Sequence, residues 1–170
     1  MKRSRNTYRV HPDGYMIGTD FKGEEFCFDL SDYEMVKKYT WVNHKGYIVT
    51  NILHFYTSMH RLITNCPRDK AVDHANHDTV DNRKKNLRVC TTQQNSSNVI
   101  KNKTNMTSKY KGVYWSKRQR RWYTKIKVKG KTINIGGFEI EEDASRAYND
   151  KALFYFGEFA YLNIPVEVTQ

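Results

Sequence analysis

The stretch Arg121-Trp122-Tyr123-Thr124-Lys125-Ile126-Lys127-Val128-Lys129 alternates with a strict period of two, and no other feature limits the fold of this chain so tightly. On an extended strand successive side chains point to opposite faces. Arg121, Tyr123, Lys125, Lys127 and Lys129 therefore share one face, and Trp122, Thr124, Ile126 and Val128 the other. Lys129-Gly130 reads as a tight hairpin turn into a second strand over 131–135, and a further strand precedes them over 111–115. A helix is expected from residue 141, where Glu141, Glu142 and Asp143 suit the positive end of its dipole. Ala144, Ala147, Tyr148, Ala152 and Tyr155 recur at helical spacing, and Gly157 supplies the stop. The pattern predicts a three-stranded antiparallel sheet whose apolar face packs on one helix. Its other face carries a cationic row that Thr132 and Asn134 extend, with Lys111 and Tyr114 joining from the first strand.

Charge follows the same geography. Residues 107–135 hold ten Lys or Arg and no acid, within a chain of net charge +11. Residues 1–58 are near neutral at +1, residues 59–100 carry +3, and residues 101–170 carry +7. Such a footprint favours an anionic partner, most commonly nucleic acid, with a membrane surface or a solubility effect as the bland alternatives. Aromatics at 14% speak for folded domains that bury rings, since basic tails lack them. Cys27, Cys66 and Cys90 are scattered and odd in number, which argues against a disulfide framework or a cysteine-zinc site and suits a reducing, cytoplasmic setting. No apolar run approaches the length of a membrane span, and no secretory leader is expected.

The first 58 residues read as short strands between turns at Pro12-Asp13-Gly14, Lys22-Gly23 and Lys45-Gly46. Strands are expected around residues 15–17, 25–28, 41–42 and 46–50. Ser31 with Glu34 forms a capping-box pattern opening a short helix over 32–38, and a second helix is expected over 58–64 with Met59, Leu62 and Ile63 on its apolar stripe. A strand over 71–74, a ten-residue polar connection, a strand over 86–90 and one or two helical turns over 93–99 follow. The polar segment 96–108 reads as a linker.

Within that hairpin lies the chain's chemistry: Asp73-His74, Asn86 twelve residues after His74, and Asn95 nine further on. A hairpin followed by a helix can bring these sites together, each suited to phosphodiester hydrolysis. A neutral imidazole at His74 takes a proton from water near neutral pH. A carboxylate oxygen from Asp73 and an amide oxygen from Asn95 can hold one hard divalent cation, with positions left for water and phosphate. Asn86 anchors the loop so that the imidazole keeps its aim. Neighbours on an ideal strand face opposite ways, so Asp73 and His74 share a site only where the strand ends or bulges. Beside this centre Arg83, Lys84 and Lys85 read as a backbone clamp, His77 as a solvated loop residue, and His60 and Arg61 equally as phosphate contacts or helix packing.

Residues 59–98, through Met59-His60-Arg61-Leu62-Ile63, Val72-Asp73-His74, Asp81-Asn82-Arg83, Asn86-Leu87-Arg88 and Asn95, resemble the HNH homing-endonuclease family with its ββα-metal fold. The resemblance implies His74 as general base, Asn86 as the structural middle residue, and Asp73 with Asn95 as metal ligands. Asn in the third position, where some relatives have His, favours magnesium, then manganese. Residues 108–163 resemble the ethylene-response-factor (apetala-type) DNA-binding domain, through Tyr110-Lys111-Gly112-Val113, Trp122 to Ile126, Ile135-Gly136-Gly137-Phe138, Glu141 to Tyr148, and Gly157-Glu158-Phe159-Ala160-Tyr161-Leu162-Asn163. Members of that family read DNA through the sheet with the helix as support. Here Lys stands where Arg is usual and Tyr114 replaces a cation, which shifts the expectation from guanine reading to phosphate holding.

The chain is thus expected to be α+β: a strand-rich region of open role (1–58), an HNH module (59–98), a linker (99–108) and the sheet-and-helix domain (109–165). Its expected function is metal-dependent cleavage of double-stranded DNA by a homing or mobile-element enzyme acting as a monomer or weak dimer, with no membrane or protein partner. A non-catalytic DNA-binding regulator with a vestigial HNH module is the competing reading, and an RNA-binding protein the third. The intact Asp73, His74, Asn86 and Asn95 set argues against the second and leaves the third without a use for it.

Overall fold

A computed structural model describes residues 6–98 and 107–163. The chain is α+β and divides into two compact units, Met1–Thr92 and Gln93–Gln170. Among the described residues no helix is long and apolar enough to cross a membrane.

The first unit is built from three antiparallel sheets. Strands β1 (Thr7–Val10), β2 (Tyr15–Thr19) and β3 (Glu25–Asp29) form a meander, and β4 (Val42–His44), β5 (Tyr47–Ile52) and β6 (Phe55–Ser58) form a second. Between them a 3₁₀ turn, Leu30–Asp32, leads into the four-residue helix α1 (Tyr33–Val36). Helix α2 (Met59–Thr64) follows, then the hairpin of β7 (Ala71–His74) and β8 (Leu87–Cys90). One core unites them: Met16, Phe26 and Phe28 from the first sheet meet Val36, Trp41 and Ile48, and these meet Met59 and Ile63 of α2 and Val72 and Leu87 of the hairpin. Residues 6–58 therefore pack on residues 59–90 through shared apolar side chains. Trp41, wholly buried, donates from its indole to the Val36 carbonyl at 2.9 Å, while Asn6 pairs with both the N–H and the carbonyl of Trp41. Gly18 lets strand and ring close up, since a β-carbon there would lie 2.4 Å from Phe26.

Three local expectations change. The Ser31–Glu34 capping box does not form: Asp29 and Asp32 occupy the cap positions without side-chain capping bonds. Their carboxylates are drawn elsewhere, Asp29 to the Lys84 backbone N–H and Asp32 to the Lys84 ammonium, and the helix is correspondingly short. Strands β1 and β6 add to the expected set; β6 escapes notice because its turn, Leu53-His54, contains no glycine. Asn86 lies on a 3₁₀ turn, Lys84–Asn86, rather than on β8.

The second unit holds β9 (Val113–Ser116), β10 (Arg121–Val128) and β11 (Lys131–Phe138) in the order β11-β10-β9, with helix α4 (Glu141–Phe156) against one face. Ile126, Tyr148 and Ala152 form its core, joined by Val128, Ile133, Ile135, Phe156 and Ala160. The Lys129-Gly130 turn joins β10 and β11 as expected. Strand β11 runs three residues past its expected end because Gly136 and Gly137 pair with Thr124 and Tyr123 instead of breaking the strand. A β-carbon on Gly137 would meet the Tyr123 ring at 2.8 Å, so the glycine lets that ring lie over the neighbouring strand. Strand β9 starts at Val113, after a turn whose Gly112 (φ +79°) approaches the Lys125 carbonyl and the Tyr148 ring too closely for any side chain. Asn163 ties the end of this unit to its start through both backbone groups of Lys111. Helix α3 (Thr92–Asn98) spans the division between units, and most of the expected linker lies outside the described residues.

Candidate active site

Strand β7 stays in regular register with β8 and ends at His74 without a bulge. The strand ends there, which lets the Asp73 charge bear on the His74 ring although the two side chains leave the strand in different directions. Val72 and His74 turn toward α2, where Val72 joins the core and His74 meets His60, while Asp73 faces Arg88 across the hairpin.

The loop that follows is closed by Asn86. Its side-chain N–H donates to the Asp81 carbonyl at 2.8 Å, and its side-chain oxygen accepts from the Asn76 N–H at 2.9 Å. Its backbone carbonyl accepts from Ala75, the residue after His74. His77, exposed and at φ +65°, returns its N–H to the His74 carbonyl. These bonds fix the chain that directly follows His74.

A second clamp was not legible beforehand. Asp81, 2% exposed, accepts from both arms of the Arg83 fork (2.7 and 2.6 Å), from the Asn76 amide at 3.1 Å and from the Cys27 thiol at 3.2 Å. Burial pushes its carboxyl up, but these donors outweigh burial and hold it at about 2. Burial and the same carboxylate drive the Cys27 thiol up to about 12, so it serves as a donor and not as a thiolate. The backbone adds two bonds, Cys27 N–H to Val80 and Asn82 N–H to Cys27, which lay the loop along the edge of β3 as a short parallel bridge. The sequence signal for this clamp is the Asp-x-Arg spacing of Asp81 and Arg83; nothing local points to Cys27. Arg83, expected to clamp DNA, thus gives its fork to Asp81 and stacks its guanidinium over Tyr15 at 4.4 Å.

His74 is 5% exposed, and burial lowers its pKa below the ordinary histidine value. Asn82 beside it and the carboxylates of Asp73, Asp78 and Asp81 oppose that shift without reversing it. His60 stands edge-to-face with it, ring centroids 5.2 Å apart, and Tyr47 lies 5.6 Å from His60 and 6.3 Å from His74. Burial first, then the His74 and Arg61 charges, bring His60 down to about 4, and its buried Nδ1 has no hydrogen-bond partner in this structure. His60 therefore packs beside the His74 imidazole, and Arg61 bonds the carbonyls of Cys66, Pro67 and Lys70.

Asp73, 4% exposed, accepts from Nε of Arg88 at 3.1 Å and from its Nη2 at a shorter distance. Asn95 is half-buried on α3. Among the described residues no three His, Cys, Asp or Glu side chains cluster as a cation site. The buried Asp73 carboxylate, taken by itself, is a hard oxygen donor of the kind that suits magnesium or manganese.

In the second unit, considered alone, Lys125 and Lys127 stand exposed on β10 opposite Asn134 and Thr132 of β11, and Tyr114 of β9 opposite Tyr123. The Lys125 ammonium sits 4.8 Å above the Tyr114 ring, and Arg121 pairs with Glu139 at 2.8 Å. A shallow groove of about 440 Å³, lined by Tyr114, Arg118, Gln119, Tyr123 and Asn134, runs over this face. Lys111 lies in the turn before β9 with its ammonium 5.1 Å from the Tyr161 ring.

Residues 64–97 match the family described as HNH endonuclease. Over 149 residues the chain is 33% identical to an uncharacterised HNH endonuclease of Acanthamoeba polyphaga mimivirus, an alignment covering 84% of this chain and 76% of that relative. The matched segment contains the whole hairpin, its clamped loop and all but the last residue of α3, and with a relative aligned along most of both chains it establishes that this protein belongs to the HNH endonucleases.

Proposed function

We propose that this HNH endonuclease hydrolyses phosphodiester bonds of double-stranded DNA with His74 as general base, and that the second unit holds the duplex on its basic sheet face. The observation that carries this reading is the state of His74: a buried imidazole kept neutral, at the last residue of a strand, with the chain on its far side fixed by Asn86. Such a ring accepts a proton from water as the water oxygen attacks phosphorus and the 3′-oxygen departs. His60 and Tyr47 pack against the ring and limit its rotation. Asp73 and Asn95 would hold one divalent cation, magnesium first, and the Arg88 guanidinium pairs with the Asp73 carboxylate and fixes its orientation. When bound, such a cation neutralises charge developing on the phosphoryl and leaving oxygens.

On the second unit, Lys125, Lys127, Arg121, Tyr123, Tyr114, Thr132 and Asn134 would contact the duplex backbone, in the manner of the ethylene-response-factor (apetala-type) domains that residues 108–163 resemble. Four of these side chains, Lys125, Lys127, Thr132 and Asn134, are exposed together on paired strands, which suits phosphate contacts. Lys111, nearer Tyr161, would act at the margin. A mobile-element role with one active centre per chain implies nicking by a monomer.

The test is incubation of supercoiled plasmid with the protein and magnesium. Nicked circles are expected, absent with EDTA and absent for His74→Ala, while His74→Ala binds DNA as the parent does. Nicking that survives in His74→Ala removes the base assignment, and tight binding without nicking under every metal returns the protein to the regulator reading.

A further inference from the structure

Three of the four most exposed large hydrophobic side chains among the described residues lie together at the tip of the β5–β6 hairpin: Leu53 at 83%, Tyr56 at 78% and Phe55 at 75%. The turn that presents them breaks a rule kept elsewhere in the chain. Ile52 pairs with Phe55, so Leu53 and His54 form a two-residue turn, and both adopt positive φ (48° and 69°). The two other turns of this kind are Lys45-Gly46 and Lys129-Gly130, each with glycine second. Leucine and histidine are poor choices for a left-handed backbone, where Asn-Gly is strongly preferred. The site retains bulky side chains at a conformational cost and leaves them in water, which points to a use outside folding.

The setting limits what covers the tip. From Met35 to Arg68 the sequence contains no Asp or Glu, while Lys37, Lys38, Lys45, Arg61 and Arg68 supply cations. A carboxylate-free hairpin on a chain of net charge +11 suits a polyanion better than a second copy of the same chain. The hairpin is also continuous with the candidate site. Tyr47 begins β5 beside His74, and the outward face of the same sheet carries His44 stacked with Tyr56, centroids 6.1 Å apart. Five residue rises along the strand separate Tyr47 from Ile52, a span of about 17 Å, or roughly five base steps of duplex.

We propose that the Leu53-His54-Phe55 tip is a wedge that presses Leu53 and Phe55 into the base stack of duplex DNA about five base steps from the cut. This rests on the nuclease reading above. Apolar wedges of this type unstack a base step and kink the duplex, which draws more of the protein onto it. Here the kink would seat the scissile phosphate against His74.

The plasmid nick made by the native protein is mapped first, and duplexes spanning that position are made with 2-aminopurine at each step on either side. With EDTA present, the native protein is expected to raise 2-aminopurine fluorescence at one step about five base pairs from the nick. Leu53→Asn with His54→Gly installs the preferred turn. It is expected to raise Tm by about 2–5 °C, to abolish the fluorescence rise and to lower kcat/KM more than about tenfold. Phe55→Ser, which leaves the turn untouched, is expected to show the same losses with Tm nearly unchanged. The proposal is overturned if the native protein unstacks no step near the nick, or if both variants nick and unstack as the parent does. It is equally overturned if the native protein sediments as a dimer that these variants split, which makes the tip a self-association surface. Absence of any His74-dependent nick ends the parent reading instead.

Discussion

Removing the Asn86 carboxamide strips the Asn76 N–H and the buried Asp81 carbonyl of their partners. Asn86→Ala is expected to cost about 2 kcal/mol in urea denaturation and, on the function proposed above, to lower kcat more than it raises KM. The two imidazoles carry a separate prediction in acid. Both pKa values are lowered by folding, His60 to about 4, whereas the unfolded chain titrates near the ordinary histidine value. The unfolded state therefore takes up protons first as pH falls, so the stability associated with these rings is complete above about pH 6.5 and is lost toward pH 4. A Tm–pH series should fall across that window, and His60→Phe should flatten most of the fall. An equally steep limb in His60→Phe would assign the acid sensitivity to other groups. The intervals between Asp73, His74, Asn86 and Asn95 were readable because hairpins and their loops are local in sequence. The Cys27–Asp81 bond joins residues 54 apart, and no local pattern carries it.

Elements were legible wherever periodicity was strict. The alternation of β10 gave the correct faces: Thr124 and Ile126 are buried and Lys125 and Lys127 exposed. The Lys129-Gly130 turn and the start of α4 were legible as well, whereas Gly112, expected within a strand, lies in a turn. Reading failed where a side chain had a stronger partner elsewhere, as Asp32 did in Lys84, and where glycine served close approach rather than a break, as at Gly137. The β10–β11 face bears its own prediction. Lys125→Ala and Lys127→Ala should each lower the slope of log affinity against log salt by about one, without altering Tm, because both ammonium groups are exposed. Filter binding at several salt concentrations measures this, and an unchanged slope takes the lysine off the interface.

For the whole molecule, each unit has a core of its own, and the two cores differ in reach. That of the second unit is closed within the sheet, α4 and the segment ending at Asn163. Residues 107–163 expressed alone should therefore melt cooperatively and bind DNA without nicking it. The first unit draws its core from Met16 to Leu87, so residues 59–98 alone should stay unfolded, while residues 1–98 should fold. Circular dichroism of the three fragments checks all of these, and a folded 59–98 peptide would contradict the shared core. The sequence separated residues 1–58 from the catalytic segment because composition changes between them; side chains that meet across that change leave no mark on composition.

The bridge between Cys27 and the loop at Val80 and Asn82 also bears on how such enzymes are inherited. The catalytic segment is short, but it is stitched to a strand made long before it. A recombination event that moved only the hairpin and α3 into another gene would deliver a loop with its buttress missing. The heritable module is then the entire first unit with α3, and lineages that exchange nucleases of this kind should exchange that piece intact or not at all.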